Sequence, residues 1–145
     1  MNTEPRKPRR HCRGILPQFA DKILSGEKTT TIRPDAKKMS AGDLITFWVG
    51  WRKKNPIYVC TAEILEEPTY IALGSETAIF GDGVDLGAED VLDSFAESDG
   101  FFSFAEMIHF FQAAYPPKKN REWSFEGKLI TFGNIRVESE RYPKK

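Results

Sequence analysis

The sequence has no apolar run approaching the roughly 18 residues that a membrane-crossing helix requires, so no membrane partner is expected. Its opening, MNTEPRKPRRHCRG, is basic but leads into no apolar segment of the signal-peptide kind, so a cytoplasmic location is expected. Cysteine is scarce. Cys12 and Cys60 lie 48 positions apart without a C-x-x-C partner, which excludes a disulfide framework and a zinc ribbon and fits two unpaired thiols in a reducing compartment. The two histidines, His11 and His109, have no Cys or carboxylate at ligand spacing, and Gly81-Asp82-Gly83 lacks the companions of a Walker or dinucleotide motif. No metal and no cofactor is expected.

What is present suffices for one domain of 145 residues, with 40% hydrophobic residues, 11 Phe, 4 Tyr and 3 Trp to fill a core, and 29% charged residues, too ordinary a balance for disorder. The net charge of zero hides a segregation. Residues 1–54 carry +8, residues 55–117 carry −12 with no Lys or Arg at all, and residues 118–145 carry +4. Such a chain either folds with a positive face that attracts phosphates or ends in basic, solubilising tails.

Residues 1–13 read as a disordered basic arm, with order beginning near Gly14, and residues 138–145 as a polar tail; the domain is expected at 14–137. A brief helix is predicted at 21–25 with Gly26 as its stop, then an extended segment at 29–33 closed by Pro34. Ala41-Gly42-Asp43 is a turn that launches a strand at 44–49, with Trp48 in the core, and a hairpin leads to an alternating strand at 57–64. Residues 66–86, punctuated by glycines, read as a long functional or mobile loop. A helix follows at 88–96. The next starts at Ser103, which makes an S-x-x-E capping box with Glu106, and stops at Pro116-Pro117. Two closing strands are predicted at 123–125 and 127–137. The fold class is α+β, a small mixed β-barrel with flanking helices.

Two segments concentrate chemistry. In G-E-K-T-T-T-I-R, residues 26–33, alternation puts Thr29, Thr31 and Arg33 on one face and Thr30 and Ile32 on the other, with Lys28 joining the first group if the chain is still turning there. Composition alone also admits an exposed edge strand bearing Lys and Thr. In Asp99-Gly100-Phe101-Phe102-Ser103 a carboxylate and a glycine precede a helix start whose N–H groups can receive a polar ligand edge, or Asp-Gly is simply a turn. Phe101 and Phe102 serve either as core or as the lining of a cleft. Trp51, beside Arg52, Lys53 and Lys54, is a candidate for stacking on a base.

The order G-x-K-x-x-T-x-R after a short helix, an A-G-D strand start, then D-G-F before a helix ending in A-Y-P resembles the ASCH family over residues 16–132. The resemblance implies a PUA-like β-barrel and a cleft lined by Lys28, Thr31 and Arg33. It also implies one of three functions: hydrolysis of the amide of N4-acetylcytidine-like nucleosides, binding of single-stranded RNA without catalysis, or ribonuclease activity. In the amidohydrolase branch Lys28 and Thr31 match the catalytic Lys and Thr. Asp99 stands where the family has Glu, after a one-residue insertion and one methylene shorter. Arg33, Gly100, Phe101 and Trp51 are then expected to bind substrate. For the chemistry, Thr31 supplies a hydroxyl nucleophile or positions a water. Either Lys28, if neutral, acts as base, or Asp99 acts as base towards water with a charged Lys28 as electrostatic stabiliser.

Overall fold

The computed structural model describes residues 7–81, 83–87 and 89–138. These form β1 (Arg10–Ile15), α1 (Pro17–Ser25), β2 (Thr30–Arg33), β3 (Leu44–Val49), β4 (Ile57–Ile64), β5 (Thr69–Gly74), β6 (Ala78–Phe80), α2 (Glu89–Ser98), α3 (Phe104–Ala114) and β7 (Ser124–Arg136). The seven strands make one mixed sheet in the order β1-β3-β4-β7-β5-β6, with β2 paired to β7 off that path. Only β1 with β3 is parallel. Among the described residues no pairing joins β1 to β6, so the architecture observed is an open α+β sheet with three helices. None of these helices is long and apolar enough to cross a membrane.

The 13-residue strand β7 organises the molecule. Its side chains alternate between two cores: Phe125 and Leu129 pack with β5, α2 and α3, while Ile130 and Phe132 pack with β3 and β4. The sequence suggested two strands here, with a break near Glu126. One continuous strand is found instead. Gly127 marks not a break but a close approach, since a Cβ there would meet the Arg33 carbonyl oxygen at 3.0 Å.

Two further expectations give way. The supposed loop at 66–86 contains β5 and β6. Ile71 and Leu73 are buried, and β5 pairs with β7 from Thr69↔Leu129 to Gly74↔Ser124. Its partners lie 50 (Gly74↔Ser124) to 60 (Thr69↔Leu129) residues downstream, so local glycine punctuation misled. Regular structure begins before the expected Gly14, because β1 begins at Arg10 and pairs with Leu44. The polar side chains of β1 have distant partners: Arg10 with Glu138 at 2.8 Å, His11 Nε2 with the buried Asp43 at 2.9 Å, and Arg13 with Asp35 at 3.2 Å. Glu138, placed in the tail by sequence, is thereby tied to the sheet; residues 1–6 and 139–145 lie outside the described residues.

Trp48 is half-buried rather than core, packed against Trp51 and Tyr58 at 5.4 Å between ring centroids. Both cysteines are free thiols, and burial pushes the Cys60 thiol up to about 11.

Candidate functional site

Helix α1 begins at Pro17, four residues earlier than predicted, because proline at the first helical position lacks only an N–H that would go unbonded anyway. It ends where Gly26 adopts φ 88° and donates to the Ile23 carbonyl. The chain then turns back. Lys28 N–H bonds the Lys22 carbonyl at 2.9 Å and Thr29 N–H bonds the Ser98 carbonyl at 2.7 Å, tying the start of β2 to the end of α2.

The D-G-F segment ends α2 before α3 begins. Gly100, at φ 96°, donates to the Glu97 carbonyl and Phe101 N–H to the Ala96 carbonyl, the paired bonds of a Schellman cap. Asp99 N–H also goes to Ala96, and Phe102 N–H to the Glu106 carboxylate. These N–H groups are spent within the protein, so the anion-receiving role suggested by sequence does not hold for them. Ser103 accepts from Glu106 N–H at 3.1 Å, as the capping box required.

Where these turns meet, Lys28 and Asp99 face each other. Lys28 is 5% exposed and Asp99 2%. The ammonium donates to the Asp99 main-chain carbonyl and lies 3.6 Å from Oδ1. Thr30 donates to that same Oδ1 at 2.8 Å. The ammonium also sits 4.9 Å from the centre of the Phe19 ring. Burial drives the Lys28 pKa down, with Arg33 and Lys22 adding and Asp99 opposing. Burial drives the Asp99 carboxyl up, against the pull of Lys28, Thr30 and Arg33. The two proton affinities thus approach each other, a poise that an exposed pair does not have.

Arg33 shares a face with Thr31, as alternation predicted, and donates Nε–H to Thr31 Oγ1 at 3.1 Å. Its Nη2 donates to the Gly14 carbonyl at 2.7 Å. Lys28, Thr31, Arg33 and Asp99 all line one cavity of about 550 Å³, together with Phe101 and Trp51. Volumes of this order suit small organic ligands. The rest of its lining is largely apolar and includes the rings of Phe19, Phe110, Phe111 and Tyr115, with Phe19 beside Lys28.

Gly100 does not line this cavity. It matters from behind, since a Cβ there would meet Lys28 Cδ at 3.0 Å and the Phe19 ring at 3.1 Å. Phe101 is buried, whereas Phe102 is 83% exposed and outside the cavity. His11 and His109 do not line it either. Thr30 escaped the sequence reading because alternation turns it away from Thr31. It meets Asp99 on the far side of β2, 69 positions along the chain. No family model, curated protein or solved structure matches the chain.

Proposed function

We propose that this chain is an ASCH-type protein, with the PUA-like barrel which that family implies, that binds a modified cytidine nucleoside in the 550 Å³ cavity and hydrolyses its N4-acyl amide. The observation that carries this reading is the convergence of Lys28, Thr31, Arg33 and Asp99, from two stretches distant in sequence, on one cavity with an aromatic wall. The pyrimidine ring lies against that wall, and the acyl group points to the polar end.

Thr31 is the nucleophile in this reading. Its oxygen accepts the Arg33 Nε–H, which stabilises the negative charge that develops as the hydroxyl loses its proton. Lys28, whose ammonium burial disfavours, accepts that proton when neutral. Asp99 and Thr30 hold Lys28 in place. Thr31 Oγ adds to the acyl carbon, the C–N4 bond breaks, and the proton passes to the departing cytidine amine. Water then releases the carboxylic acid from Thr31 and restores the hydroxyl.

The test is an absorbance assay for cytidine release from N4-acetylcytidine. The wild-type chain turns over, and Lys28→Ala and Thr31→Ala each abolish turnover. Turnover surviving both substitutions overturns these roles. Absence of hydrolysis with salt-sensitive RNA binding gives the binding-only reading instead. A ribonuclease using histidine as acid and base draws no support, because neither histidine lines the cavity.

A further inference from the structure

The charges around the cavity do not balance. Among the described residues lining it, four carry basic or acidic side chains: Lys28, Arg33, Lys53 and Asp99. Lys28 and Asp99, 3.6 Å apart, add no net charge whichever of the two holds the shared proton. Among the described residues Arg33 hydrogen-bonds to two neutral acceptors, Thr31 Oγ1 and the Gly14 carbonyl, while Asp35 and Asp99 attract it at longer range. The nearby Asp35, outside the cavity, is held by Arg13 at 3.2 Å. Lys53 is exposed and in no ion pair among the described residues. Arg33 and Lys53 therefore line the cavity with no ion-pair partner among the described residues, and a neutral nucleoside would supply none.

The turn that carries Lys53 is built against the same support as Arg33. Gly14, whose carbonyl holds the guanidinium, has no side chain where Trp51 packs; a Cβ there would meet Trp51 Cβ at 3.0 Å. The turn is closed by Lys53 N–H to the Gly50 carbonyl at 2.9 Å. Arg52 within it takes φ 70°, a left-handed conformation that Asn or Gly adopts more readily. An arginine stands there nonetheless, making Arg52, Lys53 and Lys54 three successive exposed cations beside Trp51.

Resting on the nucleoside reading above, we infer that the natural occupant is a phosphorylated nucleoside, its base inside the cavity and its phosphate received by the turn at 50–54 next to Arg33. Phosphate oxygens accept charge-assisted hydrogen bonds from such donors, and the attraction weakens as salt screens it. The phosphate belongs either to a free nucleotide or to an RNA chain.

Tryptophan fluorescence titrations of the full chain with cytidine, cytidine 5′-monophosphate and a short oligocytidylate test this. A phosphorylated ligand is expected to bind about tenfold more tightly than cytidine at low ionic strength, the margin shrinking as salt rises. Preference for the mononucleotide assigns a free nucleotide; preference confined to the oligomer assigns RNA. Lys53→Glu brings the ratio of charged ligand to cytidine to about one, whereas Lys37→Glu, at an exposed cation that does not line the cavity, preserves it. Equal affinities for all three ligands overturn the inference and leave the nucleoside reading standing. Absence of binding by all three overturns both. A full preference persisting in Lys53→Glu overturns the turn as the phosphate site.

Discussion

The Thr30 hydroxyl donates to Asp99 Oδ1 at 2.8 Å, both groups buried, and so pins the beginning of β2 to the cap of α2. This bond fixes the carboxylate that faces Lys28. The elements on either side are joined at the main chain by Thr29 N–H to the Ser98 carbonyl.

Thr30→Val keeps the shape and removes the donor. It leaves a buried carboxylate oxygen short of a partner and is expected to destabilise the fold by about 1–3 kcal/mol, with Thr30→Ser recovering most of the loss. Urea unfolding of the three proteins measures it. Equal midpoints for Val and wild type would show the bond to be energetically idle.

Lys28 and Asp99 form a buried pair, so removing one partner strands the other. Lys28→Met and Asp99→Asn are each expected to cost about 3 kcal/mol, and the double variant less than the sum. A double-mutant cycle by denaturant unfolding reads the coupling. Strictly additive losses would count against a direct interaction.

The buried ammonium also sets a pH dependence. In the unfolded chain Lys28 holds its proton to its ordinary value of 10.5, while burial lowers that value in the folded chain. Between the two, the unfolded state binds more protons, so the stability conferred through Lys28 rises with pH and is lost as pH falls through the lowered folded value. The stability of wild type relative to Lys28→Met should therefore improve as pH approaches 10.5. A flat or worsening difference contradicts the shift.

Gly100→Ala puts a methyl where the backbone is left-handed at φ 96° and where Lys28 Cδ and the Phe19 ring lie 3.0–3.1 Å away. The left-handed strain alone costs on the order of 1 kcal/mol, and displacement of Lys28 adds to it. Thermal unfolding and N4-acetylcytidine turnover should both fall. If the fold weakens while turnover holds, Lys28 has not moved and its placement does not depend on this glycine.

Much of the local structure was legible from the residues. The Ser103–Glu106 box, the Gly26 stop, the turn before Leu44 and the β3–β4 hairpin each depend on groups a few positions apart. So does the shared face of Thr31 and Arg33, which strand alternation dictates and the 3.1 Å bond between them realises. The same alternation, applied to Thr30, concealed its bond to Asp99.

What tertiary structure alone decided has a common cause: the partner is far along the chain. The strands at 69–74 and 78–80 exist because β7 offers a paired edge, and β1 extends to Arg10 because β3 does. The face-to-face placement of Lys28 and Asp99 spans 71 positions. The sequence by itself determined which groups were on offer and which face of its own element each would take, since backbone geometry repeats every few residues. Folding decided which of them meet and how little water reaches them, and that exclusion of solvent perturbs the proton affinities of Lys28 and Asp99.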